Sequence, residues 1–426
     1  MTSFLILPNQ LFDYKLLNKK YKFIIWEHPH YFTTYNYNKK KLILHRASMK
    51  YYYDYLKKKK IQCDYYEFNN EPIINNYLIF DPIDKIDLPG EYEIIESPNF
   101  LLNKDTYEKY RKKTKKFFFN SFYMWSKKYL NILPNIKSQD KYNRKSIPKN
   151  IKISGIPDNS KDQKYINEAI KYVNKNFKNN YGNTENFIFP ISHNTAKKFI
   201  TYFIKHKLDN FGSYQDAIIK EEQFLFHSLL SSSINIGLIN PDELISKIIK
   251  VKSNINNIEG FIRQLFWREY QRYCNIYYDF DNKNYFGNNK KLNKDWYEGT
   301  TGIDPVDDCI KDGFNSGYLH HIQRLMVVGN YMNLSKIHPK EGFKWFMEFS
   351  CDSYEWVMKQ NVLDMVFFVS GGATMRRPYM SSSNYILKMS DYKKGEWSNI
   401  WNTKYKDFIK SNKKNLHKYR YYYKLS

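Results

Sequence analysis

Two adjacent imidazoles, His320 and His321, stand just before Arg324, and Asp352 follows that arginine by 28 residues. A histidine titrates near neutrality and can move protons, while an arginine and a carboxylate supply fixed opposite charges. All four lie in residues 301–392, where the surrounding sequence is apolar and helical in pattern. Polar groups this dense in apolar sequence point to a buried pocket rather than a surface. Adjacent helical residues face different ways, so only one of the two histidines can face a ligand. Two further clusters carry chemistry. His227, Ser228 and Ser231 open a helix-like segment after an apolar run, a natural phosphate cradle or, equally well, a serine-rich helix cap. Gln264 and Trp267, three apart, share a helix face, although Phe261, Leu265 and Tyr270 of the same helix also fit an ordinary core.

These groups need elements to hold them. Residues 4–7, 23–26, 62–68 and 77–80 read as short buried strands, with a helix over 45–56 between the second and third. That alternation predicts a parallel α/β sheet, whose ligands sit beyond the carboxyl ends of its strands, near Asn9, Gln10 and Glu27. Residues 135–160 shift to Lys, Asn, Ser, Pro and Gly and read as a linker between an α/β domain (1–134) and a second domain (161–426). In the second, helical spacing recurs over 162–177, 199–208, 214–230, 241–251 and 258–273, so this part is expected to be mainly α-helical.

Composition narrows the partner. Lys and Arg number 68 against 43 Asp and Glu, a net charge of +25 that suits a polyanion, nucleic acid above all. Part of the excess follows from a general bias toward Lys, Asn, Ile, Tyr and Phe. The four cysteines form no CxxC pair, which argues against a zinc site or a disulfide framework. Neither a signal peptide nor a transmembrane run is apparent, so a soluble intracellular protein is expected, with no membrane partner.

Taken in order, FGSYQDAI (211–218), FLFHSLLSSSINIGLINPDEL (224–244), EGFIRQLFWREYQR (259–272) and the 301–392 stretch resemble the cryptochrome/photolyase family. The likeness is to the prokaryotic photolyase-related branch that includes the bacterial (6-4) photolyases. Residues 27–56 and 381–397 resemble matching segments of the same branch. The resemblance implies a Rossmann-like α/β antenna domain followed by a large helical FAD-binding domain. It implies an FAD pyrophosphate held by Tyr214, His227, Ser228, Leu230 and Ser231, with Gln264, Trp267 and Arg268 at the flavin-contacting turn. Arg324 and Asp352 would form a buried ion pair against the flavin ring, the guanidinium stabilising its negative charge. His321 would serve the lesion in proton transfer with His320 behind it, and Trp345 and Trp296 would carry electrons. A lumazine-type antenna would touch Gln10, Glu27 and Tyr31. The implied activity is light-driven repair of UV-damaged DNA by a monomer, (6-4) photoproducts favoured. The alternative is a cryptochrome-like photoreceptor or flavoprotein without repair.

Two departures stand out. Members of the branch hold an iron–sulfur cluster on four cysteines, but residues 392–408 contain none and Pro305 takes another of those positions. No iron–sulfur cluster and no metal are therefore expected, and Cys309 and Cys351 read as buried hydrophobes. The second is Met358, where relatives carry a glutamate or asparagine near the flavin. A thioether donates no hydrogen bond, so Gln360 or Asn361 substitutes or repair is impaired.

Overall fold

Five short runs rich in apolar and aromatic residues pair side by side within the first hundred residues. In the computed structural model, which describes residues 2–423, they are β1 (Ser3–Ile6), β2 (Lys22–Trp26), β3 (Cys63–Tyr66), β4 (Tyr77–Phe80) and β5 (Tyr92–Ile95). Every pairing is parallel, in the order β3-β2-β1-β4-β5, with Phe4 between Phe23 and Leu78. Strands covered on both faces need continuous apolar sequence, which β1, β2 and β4 have. β5 was not anticipated from the sequence. It is an open edge strand, with Tyr92 43% and Ile94 48% exposed, and such a strand needs no apolar run.

The crossover from β2 to β3 is α1 (Lys39–Lys58), opened by Asn38, whose side chain accepts the Lys40 N–H at 2.8 Å. α2 (Gln163–Asn176) lies against α1. Between them sits a charge cluster with a buried centre, Arg46 and Glu27, and a half-exposed rim, Glu67 and Glu168. Arg46 meets Glu27 at 2.9 Å, Glu67 at 2.8 Å and Glu168 at 2.6 Å, with its guanidinium 3.7 Å over the Tyr172 ring. Glu27 also accepts from the Tyr65 and Tyr172 hydroxyls and the Phe68 N–H.

The rest of the chain is mainly helical. It includes helices His193–His206, Leu208–Tyr214 and Pro241–Ile248, then α3 (Ile255–Tyr277), then Asp304–Ser316, Pro339–Phe349 and Glu396–Ser411. The helix expected over 214–230 is absent: residues 215–230 form turns and extended chain, with Leu225 at φ 33° and Leu229 at φ 57°, outside the α region. Two wide π-helical runs, Gln323–Gly329 and Lys359–Val366, interrupt the helices. No helix among the described residues is long and apolar enough to cross a membrane.

Two consequences can be measured. Arg46→Met strands the buried Glu27 carboxylate, while Glu67 and Glu168 are half-exposed, and should cost about 3 kcal/mol in urea unfolding. Burial lowers His45 to about 3 and His193 to about 4. Both fall below the unfolded value, so stability is intact above about pH 6.5 and is lost as pH drops toward 4. The unfolding free energy from urea titration should therefore fall between pH 7 and pH 5, by on the order of 1 kcal/mol per pH unit for each ring once below about pH 6.5.

Candidate functional site

α3 supplies one wall of a cavity of about 560 Å³, through Arg263, Gln264, Trp267, Arg268 and Gln271 among others. The helix Leu208–Tyr214 approaches α3 closely, because a Cβ on Gly212 would lie 2.4 Å from the Asn256 carbonyl oxygen. That approach lets Gln264 Nε2 donate to Gln215 Oε1 at 3.0 Å, both at the cavity. Trp267 stacks on Phe119, with centroids 3.6 Å apart and planes 8° apart. The π-helical runs bring Arg324 and Leu325 from one side and Asn361 and Met365 from the other. Such runs are rare and cluster at functional sites.

The charges of the wall are paired with care. Arg324 Nη1 lies 2.9 Å from Asp352 Oδ1, and its Nε donates to the Leu319 carbonyl at 2.7 Å. Asp352 Oδ2 accepts from the Ser231 hydroxyl at 2.6 Å, and Oδ1 also accepts from Ser350. Burial alone would raise the Asp352 carboxyl, but Arg324 and the two hydroxyls hold it below its usual range. Asn235 joins the same cluster, donating to the Asp352 carbonyl at 2.9 Å and accepting from Arg268 Nε at 2.9 Å.

Three imidazoles form another part of the lining. His227 and His320 stack with centroids 4.5 Å apart and planes 14° apart. His227 Nε2 and both His320 nitrogens are buried without hydrogen-bond partners. His321 is exposed, and what it lines is the cavity. The cavity walls around it, then Arg324 and Arg263, hold it below the ordinary histidine value; burial, then Lys207, lowers His227 to about 3. His320 is pushed down further by burial and its neighbours His227, His321 and Arg324. At neutral pH all three rings are therefore uncharged. Leu229, between His227 and Ser231, holds its φ of 57° in the cavity wall, a strained conformation for a non-glycine residue.

Met358 and Ser228 also line the cavity, but Tyr214 and Leu230 do not; Tyr214 packs 5.8 Å from Phe226. Of the two candidates to replace the missing hydrogen bond at Met358, Asn361 lines the cavity, whereas Gln360 Nε2 is turned to Met375 Sδ at 3.1 Å. Trp345 and Trp296 lie behind the wall, joined by an indole N–H to carbonyl bond of 2.6 Å. Phe349 connects them to the site, 4.7 Å from Trp345 and with Arg324 5.3 Å over its ring. Gln10, Glu27 and Tyr31 stand elsewhere, at the carboxyl end of the sheet. Gln10 is tied to Leu7 and the Phe80 carbonyl, Glu27 is occupied by Arg46, and the buried Tyr31 hydroxyl has no partner. The sequence reading missed Arg144, Arg263, Arg376 and Phe119 in the lining. Arg144, Arg376 and Phe119 reach the cavity from distant segments, so no local spacing marks them, whereas Arg263 stands beside Gln264 on α3 and could have been found from that helix. All four cysteines are buried and free, and no metal-holding cluster occurs among the described residues.

The residues present fit FAD. The volume lies in the range of cofactor sites. Arg263, Arg268 and Arg324 supply cations, Ser228 and Ser231 hydroxyls, and Trp267 a flat apolar face. Buried Arg263 Nε, Arg268 Nη2 and His227 Nε2 still lack partners, as a site for a large polar ligand would leave them.

Two family models match the chain. One is described as deoxyribodipyrimidine photo-lyase-related protein, over residues 4–80 and 81–189; the other is the FAD binding domain of DNA photolyase, over residues 261–418. A (6-4) photolyase of Agrobacterium fabrum is 36% identical over 272 residues, 59% of this chain and 53% of that protein. The matched chain thus spans about half the length of that relative. The crystal structure of a bacterial class III photolyase from Agrobacterium tumefaciens is similar with a TM-score of 0.58 and 13% identity, covering 91% of this chain and 86% of that one. The cryptochrome of Synechocystis sp. PCC6803 has a TM-score of 0.57 and 12% identity, covering 98% and 88%. At these identities the structural likeness concerns the fold.

Asp352→Asn would leave the Arg324 guanidinium facing a neutral amide. Because the pair is partly open to the cavity, a loss of roughly 2 kcal/mol is expected in urea unfolding of ligand-free protein. Arg324→Met combined with Asp352→Leu should recover part of it.

Proposed function

The chain belongs to the photolyase-related family, and from that premise we propose that it is a flavin-dependent, light-driven DNA photolyase for UV pyrimidine lesions, (6-4) photoproducts above all. One observation carries this reading: a single cavity gathers Ser228, Ser231, Arg268, Arg324 and Asp352, which suit FAD, with the adjacent imidazoles of His320 and His321. When bound, FAD supplies light absorption and the electron that rearranges the lesion. The protein's own groups do the rest. Ser228, Ser231 and Arg268 bind the pyrophosphate, and Arg324, kept charged by Asp352, faces the ring and favours its negative charge. The stacked Trp267 and Phe119 offer a flat apolar face to a flipped base.

His321 is the proton-transferring group. It is uncharged at neutral pH and open to the cavity, so it can take a proton from one lesion atom and return it to another. The stack of His320 on His227 fixes the backbone that carries it. Arg376 adds positive charge at the cavity, where Arg144 and Arg263 are paired with Asp140 and Asp216, and a chain of net +25 meets duplex DNA through its phosphates, as a monomer. A lumazine-type antenna would sit beyond the carboxyl ends of the strands, where the Tyr31 hydroxyl and Asn9 Oδ1 lack partners. Met358 in the cavity wall favours a second reading, a cryptochrome-like photoreceptor without repair.

Purified protein should be yellow and, under blue light, should restore oligonucleotides carrying (6-4) photoproducts. His321→Ala should keep its flavin and lose repair by at least about 100-fold. DNA affinity should fall steeply between 50 mM and 200 mM salt, by roughly 10³-fold or more. Flavin photoreduction with both (6-4) and cyclobutane lesions left intact would favour the photoreceptor instead.

A further inference from the structure

Asp352 and Met358 both line the cavity, and the four residues that follow Asp352 are each held by a different side chain from the first ninety residues. Lys41 Nζ donates to the Ser353 carbonyl. His45 meets the Tyr354 hydroxyl at 2.9 Å. The Tyr35 hydroxyl donates to Glu355 Oε1 at 3.1 Å, and the Trp356 N–H donates to Asp84 Oδ1 at 2.8 Å. None of these four anchors lines the cavity.

The anchors are costly ones. Lys41 is 1% exposed and forms no ion pair among the described residues; its ammonium rests on the faces of Tyr37 and Tyr354, at 4.5 and 4.9 Å. Asp84 is 6% exposed, and its second oxygen has no partner. His45 Nδ1 faces the Tyr31 carbonyl at 3.3 Å and so carries the proton, which leaves Nε2 to accept from Tyr354. A buried ammonium and a half-satisfied carboxylate cost more than apolar packing of the same volume. Spent on four consecutive residues, that cost fixes one short piece of backbone against the sheet unit.

The geometry points to Lys41, His45, Tyr35 and Asp84 as positioning residues that set where Asp352 and Met358 stand in the cavity wall. The α/β unit thereby governs the placement of Arg324's counter-charge without touching the cavity. A one-ångström misplacement of such a group is enough to change ligand recognition. The ligand half of the following test rests on the flavin reading; the exchange half does not.

Amide hydrogen exchange across residues 350–358 should rise in Lys41→Met and Asp84→Leu and stay near wild type in Asp84→Asn, which keeps the acceptor for the Trp356 N–H. FAD affinity, read by fluorescence, should weaken about tenfold in the first two variants, with a shifted visible spectrum, and stay within about threefold in Asp84→Asn. Tyr35→Phe removes a single hydroxyl and should show a smaller effect of the same sign in both measurements. Arg46→Met, destabilised in the same unit but away from this segment, should change neither. The proposal is overturned if exchange over 350–358 is unaltered in Lys41→Met and Asp84→Leu, or if Arg46→Met reproduces their effects. Should wild-type protein bind no FAD, the flavin reading falls, and the exchange measurement still decides the positioning claim.

Discussion

A guanidinium taken out of water needs a counter-charge close by, and in this protein Arg324 finds it in Asp352 at 2.9 Å. Most of the cavity's architecture follows from keeping that pair in place. Asp352 is bonded to Ser231 and Ser350, and its carbonyl to Asn235, which in turn holds Arg268. Two segments far from Asp352 in the chain, around Ser231 and around Arg324, therefore converge on one carboxylate. Remove the carboxylate and the arginine is left buried and unpaired, which is far worse than never having buried it.

The same constraint explains the imidazoles. Burial of His227 and His320, with Lys207, Arg324 and Arg263 near the three rings, disfavours protons on His227, His320 and His321 at neutral pH. Neutral rings can stack, and His227 and His320 do. The cavity thus presents fixed positive charge from arginines and uncharged, proton-accepting histidines side by side. That combination suits an anionic cofactor and a substrate that needs a proton moved.

Legibility followed physical scale. β1, β2 and β4 were plain in the sequence because a strand covered on both faces must be continuously apolar. β5 was not, because Glu91, Glu93 and Glu96 interrupt its apolar residues and the strand is largely exposed, as an edge strand allows. Residues 215–230 have helical spacing yet form turns, and the left-handed conformation of Leu225 and Leu229 is invisible to periodicity. Glu27, read as polar and available at a strand end, is consumed by Arg46, Tyr65 and Tyr172, partners that assemble only when α1 and α2 pack.

By itself, the sequence determined which residues carry chemistry: the histidine pair, Arg324, Asp352, the serines after His227, and Met358 as the odd one out. Residue types and order are written in the chain, and short-range spacing is enough to find them. Tertiary structure alone decided which of them meet. It joined Arg324 to Asp352, recruited Phe119 and Arg263, left Tyr214 outside the lining, and put the backbone beside Asp352 under the hold of Lys41 and Asp84. Those contacts depend on how separate elements pack, and packing is set by the summed burial of many side chains, not by any local motif.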